Sequence, residues 1–376
     1  MPSLPARFAA LAGAILLAAC ASEELRVSVP DSEIAAEEQV QRDLALDATL
    51  HDHARLLDIA FPLAEHSALL CGDHTKPGFG INVADWSSLR KELRMAAFNR
   101  FKLDYTPQIL HVVPGSPAQK AGLKQGDRVL AVGKTKIAAE KGSADKVMDR
   151  LHKAGDGALV FTVAAEGKKP RKVSVTPVPI CDDEFYIGKS DMVNAYSDGD
   201  SVVVMAGMMR FAASDADLAL VLSHEMAHNV MHDSQSIPAS AIPGAIVDFV
   251  VSDLIGIKTR GAFARGGGRS YTQNYEAEAD YVGLYMMARA GFDISGAPDF
   301  WRRIAANYPE SIKDSLAAQH PATPYRFVLL KETVAEIEGK KTQGAALIPD
   351  PDRLRASAAK EIGLSDVAPA AGPVGN

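Results

Sequence analysis

The stretch LSHEMAHNVMHD, at positions 222–233, carries residue types and spacings that suit metal chemistry. His224 and His228 are four residues apart, so on a helix both imidazoles project from one face. Zinc takes nitrogen ligands in a tetrahedral arrangement, and such a pair fills two corners. Glu225 is rotated by about 100° from His224, so it can lie beside the metal and accept a proton from bound water. The spacing predicts a zinc-dependent hydrolase; a pair of surface histidines is the alternative.

A helix must position these side chains. Ser214 and Asp217 form a Ser-x-x-Asp pattern that predicts a capping box at its start. His232 is a tempting third ligand, but on a straight helix it lies about 12 Å along the axis from His224. No glycine breaks the helix between His228 and His232, so we expect His232 to be a residue of the helix end.

The third ligand must therefore come from elsewhere, and the stretch NYEAEAD offers three acidic residues. Glu276 and Asp280 are four apart and share a helical face, whereas Glu278 points about 200° away from Glu276. Glu276 can then bind the metal while Asp280 orients a metal-bound histidine through its other ring nitrogen. A solvated acidic helix face is equally compatible with the spacing alone.

At this point the chain resembles a family of zinc metallopeptidases, which includes the CAAX prenyl proteases, the HtpX-type membrane proteases and periplasmic proteases of outer-membrane assembly. The resemblance rests on NAYSDGDSVVVMAG, LSHEMAHNVMHD, EAEAD followed by Gly283, and HPATPYR. It implies a Glu-zincin metalloendopeptidase with one Zn²⁺ per chain. The implied roles are metal ligands for His224, His228 and Glu276, the base for Glu225, and support of the ligands for Asp280.

The same resemblance places His320 and Arg326 near the site. His320 would donate a hydrogen bond to the oxyanion or cap the metal in a resting state, and Arg326 would support the ligands. The alternative is that HPATP simply opens the last helix, with Thr323 as its cap. One departure from the family pattern exists, since Thr272 and Gln273 stand where members often carry Ser-Arg; this puts a supporting contact in doubt.

The sequence of residues 76–179 is typical of a different domain, with short strands, three helical stretches and glycine turns. The segments GSPA (115–118), AGL (121–123) and GD (126–127) resemble a bacterial PDZ domain. Such domains bind extended peptides by strand addition, often holding a C-terminal carboxylate. Residues 78–81 are either the carboxylate-binding loop or only the first strand of the PDZ-like barrel.

The first twenty residues predict export. A single basic residue precedes an apolar run that is too short to span a bilayer comfortably, which is typical of a signal peptide. The ending LAAC resembles a bacterial lipobox, in which Cys20 is lipidated, and Ala21 after it favours the outer membrane. An ordinary signal peptide is the alternative.

Cysteine usage fits this address. If Cys20 carries lipid, Cys71 and Cys181 remain, and an oxidising periplasm lets them pair. One precedes the PDZ segment and the other follows it, so a bond would join the two ends of an inserted domain. Two unpaired buried thiols are the alternative.

The expected fold is α+β, with a mainly helical zincin-like metallopeptidase domain that has a small sheet and an inserted PDZ-like β-barrel domain. We expect Pro62 to kink or break the first helical segment, residues 202–205 to be a sheet edge that aligns substrate, and residues 237–257 to be a buried or membrane-skimming hairpin. The expected divisions of the chain are a signal peptide at 1–20, a tether with helices that pack on the peptidase domain at 21–75, the PDZ domain at 76–179, the peptidase domain at 180–340 and a flexible tail at 341–376.

The sequence thus predicts a lipid-anchored zinc endopeptidase on the periplasmic side of the bacterial outer membrane. Its partners would be unfolded or misassembled envelope proteins and a peptide or C-terminus bound by the PDZ domain. A formal net charge of -7 argues against nucleic acid as a partner. The alternative is a PDZ-bearing chaperone or scaffold with a silent or capped metal site; an intramembrane protease is disfavoured by the lack of convincing spans.

Overall fold

The computed structural model describes residues 29–72, 74–231, 273–312, 320 and 322–350. The expectations for Cys20, His232, the segment 237–257 and the tail beyond 350 lie outside the described residues. Among the described residues, no helix combines the length and apolar character needed to cross a membrane.

The nine described α-helices fall into a long first helix, three helices at 91–152, and five in the C-terminal half. Their bounds are α1 Asp31–Ser67, α2 Lys91–Phe101, α3 Pro117–Ala121, α4 Ser143–His152, α5 Ala206–Phe211, α6 Asp215–Val230, α7 Gln273–Arg289, α8 Ala297–Asn307 and α9 Pro324–Thr342.

The eleven described strands form three sheets, so the expected α+β class is confirmed. Their bounds are β1 Thr75–Gly78, β2 Ile81–Ala84, β3 Gln108–Val112, β4 Arg128–Val132, β5 Thr135–Lys136, β6 Leu159–Ala164, β7 Arg171–Val175, β8 Val178–Cys181, β9 Glu184–Gly188, β10 Ala195–Ser197 and β11 Ser201–Met205.

The largest sheet belongs to the PDZ segment and has the order β2-β3-β4-β6-β7, with β5 paired to β4. Alternate residues of these strands point into one apolar core, which includes Ile109, Phe161 and Val163. Helix α4 packs against β2, the strand at one end of the sheet. The strands form an open path rather than the expected barrel, because β2 and β7 each pair on one side only among the described strands.

The two ends of the PDZ segment meet. Strands β1 and β8 form a separate antiparallel pair in which Thr75 lies opposite Cys181. A disulfide joins Cys71 to Cys181, with 5.6 Å between their Cα atoms. Residues 78–81 therefore divide between the end of β1, a connection and the start of β2.

The second core surrounds the predicted metal helix α6, which packs closely against α7. The C-terminal half of α1 joins this core through Leu56, Ile59 and Leu63. The start of α1, up to Gln41, forms a unit of its own, in which Gln41 donates to Glu37 (3.0 Å).

Two helices bear on the expectations from the sequence. Helix α1 does not break at Pro62 but continues to Ser67, and tertiary packing of its apolar residues compensates for the amide that proline lacks. Helix α9 continues to Thr342, and residues that follow it are held. Arg289 donates to the carbonyl of Leu347 (3.1 Å), and the amide of Asp350 donates to Tyr281 (2.9 Å).

Candidate metal centre

Helix α6 begins with the predicted capping box, which is confirmed. The hydroxyl of Ser214 accepts from the amide of Asp217 (3.1 Å), and the carboxylate of Asp217 accepts from the amide of Ser214 (3.3 Å). The helix then runs to Val230 without Pro or Gly, and it is buried from Leu218 to Asn229. Both predicted histidine ligands and the predicted base thus lie on a rigid element inside the core.

Helix α7 brings the acidic residues to the same place, and a glycine permits its close approach. A Cβ atom at Gly283 would lie 3.0 Å from the carbonyl oxygen of Ser223 and 3.1 Å from the amide nitrogen of His224. These backbone atoms belong to α6, so a side chain at 283 would push the two helices apart. Gly283 therefore sets the distance between the histidines of α6 and the carboxylates of α7.

Four side chains converge, with their ligand atoms all within 4.8 Å of one another: His224, His228, Glu276 and His320. The Nε2 atoms of His224 and His228 lie 3.2 Å apart. Glu276 presents Oε2 at 3.4 Å from Nε2 of His224 and Oε1 at 3.5 Å from Nε2 of His228. The Nδ1 atom of His320 lies 3.3 Å from Nε2 of His224 and 3.2 Å from Oε2 of Glu276.

These separations fit a tetrahedral zinc site. Ligands at about 2.0–2.1 Å from a tetrahedral ion lie about 3.3–3.4 Å from one another. The observed distances between the four residues cluster around that value. Two buried oxygens, Oε1 of Glu276 and Oε2 of Glu225, also have no hydrogen-bond partner among the described residues. A cation between the side chains would satisfy such acceptors.

The net charge of the cluster also favours a bound cation. Three carboxylates, those of Glu225, Glu276 and Asp280, are buried with a single guanidinium, that of Arg326. With neutral imidazoles this leaves a formal charge of about -2 out of contact with water, which is costly without a counter-ion. One divalent cation would balance it.

The predicted supporting residues lie behind the ligands. Oδ1 of Asp280 is 2.9 Å from Nδ1 of His224, the ring nitrogen that faces away from the cluster. Arg326 donates to Asp280 from Nε and Nη2, both at 2.8 Å, and its Nη1 lies 2.7 Å from Oε2 of Glu276. This fixes the orientation of both carboxylates, and that of Asp280 in turn orients the ring of His224.

Glu276 is held in its ionised form. Burial would raise the pKa of its carboxyl, but the positive charges of His320, when that ring is protonated, and of Arg326 hold that pKa well below its ordinary value. Burial also opposes ionisation of Asp280, and Arg326 again lowers the pKa of that carboxyl. A carboxylate that stays ionised is the form that binds a cation.

His320 faces both the cluster and the predicted base. Its Nε2 lies 3.4 Å from Oε1 of Glu225, while its Nδ1 faces Glu276. Next to it, Thr323 caps α9 by accepting from the amide of Arg326 (3.4 Å). The two alternatives left open by the sequence thus coexist, since HPATP opens a helix and also carries a histidine into the site.

Three residues in and around the site were missed from the sequence: Trp301, Asn229 and Asp183. The ring of Trp301, on α8, stacks on the guanidinium of Arg326 (3.9 Å) and lies 5.5 Å from the ring of His224. Asn229 follows the second histidine directly and is hydrogen-bonded to buried Asp183 (2.6 Å). A polar residue in a buried stretch of α6 was a signal for Asn229, but nothing in the spacing marked Trp301.

The strand that was expected at the edge of the sheet lies elsewhere in it. Residues 202–205 form most of β11, but β11 is the central strand of its sheet, between β10 and β9. The prediction was wrong because an apolar VVVM run is typical of a strand that is buried on both faces. Both β10 and β11 pack against α6, and of the two only β10 pairs on one side alone among the described strands.

Comparisons with known proteins agree with this picture. Residues 178–334 match the profile of peptidase family M48, and residues 108–164 match that of the PDZ domain. The chain is 26% identical over 193 residues to a protein of Yersinia pestis named "Beta-barrel assembly-enhancing protease", covering 48% of this chain and 38% of the relative. It is 30% identical over 163 residues to a "Putative beta-barrel assembly-enhancing protease" of Vibrio cholerae, covering 39% and 34%.

A eukaryotic relative is also similar to this chain. The "Mitochondrial metalloendopeptidase OMA1" of Schizosaccharomyces pombe is 29% identical over 163 residues, which cover 42% of this chain and 48% of the relative. The chain thus spans less than half the length of each of these curated relatives.

Proposed function

We propose that this chain, which carries a peptidase family M48 domain and a PDZ domain, is a zinc-dependent endopeptidase that cleaves unfolded or misassembled proteins of the cell envelope. The observation that carries the proposal is the buried cluster of His224, His228 and Glu276 at the separations of a tetrahedral site, with Glu225 beside it. The names of the bacterial relatives, which refer to β-barrel assembly, support envelope proteins as substrates.

The reaction follows from the positions of the side chains. A bound zinc ion supplies Lewis acidity that lowers the pKa of water to near neutrality. Glu225 accepts the proton of the attacking water and later passes it to the leaving amine. Asp280, held by Arg326, keeps the ring of His224 oriented so that its Nε2 faces the cluster.

His320 would take part in this reaction through either of its ring nitrogens. Its Nδ1 lies 3.3 Å from Nε2 of His224 and 3.2 Å from Oε2 of Glu276, so it would serve as a fourth ligand and cap the ligand set in a resting state. If the ring turns away, that position opens to water and Nε2 can donate to the developing oxyanion. We infer that movement of His320 separates the resting enzyme from the active one.

Substrate would be aligned by an exposed strand edge. Strand β10 packs on α6 and pairs only with β11 among the described strands, so its other edge can pair with an extended substrate. Because an edge strand binds backbone rather than particular side chains, extended and unfolded chain is the expected substrate class.

The PDZ domain would hold a peptide or C-terminus between β2 and α4. Strand β2 lies at the end of the PDZ sheet and α4 packs against it, which is the arrangement that strand addition requires. The connection at residues 78–81 leads into β2, and it remains our candidate for the carboxylate loop. Titration with peptides that end in a free or an amidated C-terminus would test this assignment.

The disulfide is proposed to fix the base of the PDZ domain. It closes a loop with a sequence separation of 110 residues, for which chain-entropy estimates give about 4–5 kcal/mol. Cys71→Ser with Cys181→Ser should increase the mobility of the PDZ domain, measured by small-angle scattering. Unchanged scattering and unchanged proteolysis would remove the idea.

We further propose attachment to the periplasmic face of the outer membrane through lipid on Cys20. The signal-peptide pattern and the names of the bacterial relatives support it. Cys20→Ser should release the protein from the membrane fraction, and its retention there would contradict the proposal.

Glu225→Gln is the experiment that tests the peptidase proposal. The variant should lose at least about 10³-fold in cleavage of an unfolded protein, because only the base is removed. Zinc content and binding of a peptide by the PDZ domain should stay at the wild-type level. A variant that cleaves as fast as the wild type would refute the proposed mechanism.

The second candidate function is a PDZ-bearing chaperone or scaffold whose metal site is capped. The position of His320 beside His224 and Glu276 favours it, since a histidine that served as a fourth ligand would leave no place for water. His320→Ala distinguishes the two, because it should increase cleavage if His320 is only a cap. A wild type and a His320→Ala variant that both cleave nothing would favour the scaffold.

A further inference from the structure

Asn229 is the residue immediately after the second histidine ligand, and it is buried at 6% exposure. Its side-chain amide makes three hydrogen bonds with two other elements. Oδ1 accepts from the amide of Gly199 (2.7 Å), while Nδ2 donates to the carbonyl of Ser201 (3.3 Å) and to Oδ1 of Asp183 (2.6 Å). The metal helix is thus bonded directly to the turn that joins β10 to β11 and to the first residue of β11.

That turn is stiff in itself. Oδ1 of Asp198 accepts from the amide of Ser201 (2.7 Å) and from its hydroxyl (2.8 Å). On the other side, the amide of Glu184 donates to the carbonyl of Asp200 (3.0 Å). A stiff turn moves as a unit, so a bond that fixes the turn also fixes the end of β10.

Asp183 determines which way the amide of Asn229 points. It lies between β8 and β9 at 5% exposure, and its backbone carbonyl accepts from Nζ of Lys76 (2.9 Å). Because its carboxylate takes the Nδ2 side of Asn229, the Oδ1 side faces Gly199. Only an amide offers an acceptor on one side and two donors on the other, so no other side chain of this size makes the same three bonds.

We propose that Asn229 is a positioning residue that fixes the register of β10 over the metal site and so determines which peptide bond of an extended substrate reaches Glu225. The inference rests on the proposed peptidase function and on β10 as the strand that aligns substrate. Asn229 acts through β10; it holds neither the metal nor the substrate.

Asn229→Asp tests the proposal, because it keeps the shape and the acceptor for Gly199 but removes both donors and sets a carboxylate against Asp183. We expect KM for an unfolded protein to rise at least tenfold, with a smaller fall in kcat. Cleavage sites mapped by mass spectrometry should shift or spread by one or two residues. Zinc should remain at one per chain, since no ligand is changed. Asn307→Asp, on an exposed asparagine of α8, is the matched control and should change none of these.

Combining Asn229→Asp with Asp183→Asn exchanges the two groups and restores a hydrogen bond between them with its direction reversed. In this double variant, KM should return most of the way to the wild-type value, and the original cleavage sites should return. Recovery distinguishes a positioning role from general damage to the fold. If Asn229→Asp does not fold, Asn229→Ser, which removes the same donors without adding charge, takes its place.

A readout independent of cleavage separates this inference from the proposed function. In a Glu225→Gln background loaded with zinc, amide hydrogen exchange at residues 195–201 should be at least tenfold faster with Asn229→Asp and slow again in the double variant. A wild type that cleaves nothing would contradict the peptidase proposal, but the comparison of amide exchange between these variants would still hold. Unchanged exchange, or an unchanged cleavage map with unchanged KM, in folded Asn229→Asp overturns the positioning role.

Discussion

The PDZ core and the catalytic core differ in what they do with buried charge. The PDZ segment buries two carboxylates, and each caps backbone amides: Asp85 accepts from Ala144 (2.9 Å) and Asp127 accepts from Lys124 (2.9 Å). The catalytic part instead buries ionisable groups that face one another around a common point. The first core is complete as a protein, whereas we propose that the second is completed by a cation.

This difference predicts which kinds of substitution should destabilise each of the two parts. The PDZ domain depends on apolar packing around residues such as Phe161, so it should respond to cavities. The catalytic part depends on helix spacing and on balanced charge, so it should respond to backbone crowding, to unpaired charges and to removal of metal.

The largest expected effect is that of Gly283→Val. The added side chain would meet the backbone of α6 at Ser223 and His224, so α7 must move away and carry Glu276 with it. We expect loss of zinc binding and a destabilisation above about 4 kcal/mol, measured by metal analysis and chemical unfolding. Gly339→Val, on α9 where a Cβ meets nothing within 4 Å, should keep both. Retained zinc in Gly283→Val would contradict the account of helix spacing.

The next effect is that of Arg326→Leu, which leaves Asp280 and Glu276 without their buried partner. Breaking a buried ion pair from one side costs about 3–5 kcal/mol, and the loss should appear in the transition of the catalytic part. Peptide binding by the PDZ domain should persist. Phe161→Ala is the reciprocal change, with about 3–5 kcal/mol lost from the PDZ domain while zinc remains. Equal damage to both parts by either variant would break the comparison.

The smallest effect concerns Asp183, whose carboxyl has its pKa raised by burial from 3.8 to about 6, with the hydrogen bond from Asn229 and the charge of Lys76 opposing the rise. A raised pKa means that the folded state binds the proton more tightly, so ionisation costs stability as pH rises from about 4 to about 6. By linkage the full cost above pH 6 is on the order of 3 kcal/mol.

Asp183→Asn removes that ionisation. Relative to the wild type, the variant should therefore be more stable at pH 8 and should lose this advantage as pH falls towards 4. Denaturant unfolding of both proteins across this pH range measures the difference in their stability. The charges of Asp182 and Glu184 also act on Asp183, but both residues are present in the two proteins. A stability difference that does not change with pH would show that Asp183 does not titrate as described.

The sequence was most informative where one element determines the geometry. The spacing of His224 and His228 and the capping box at Ser214 depend only on helix periodicity, so they could be predicted. The approach of Glu276 needed a family resemblance, because nothing local brings two helices together. Trp301 and Asp183 could not be found, since their contacts depend on distant segments.

The errors have similar causes. Pro62 is a helix breaker by its local chemistry, but packing of the residues around it keeps α1 intact. The VVVM run is typical of a strand, yet its position within the sheet depends on which neighbours pair with it, so β11 is central and β10 and β9 lie at the edges. Local propensity predicts elements; the order of elements in a sheet is a long-range property.

The most direct test of the central claim is the zinc content of the purified protein by elemental analysis. We predict one zinc ion per wild-type chain, its loss in Glu276→Gln, and its retention in Glu278→Gln on the same helix. Absence of stoichiometric zinc from the wild type, or full retention of zinc by Glu276→Gln, would contradict the account.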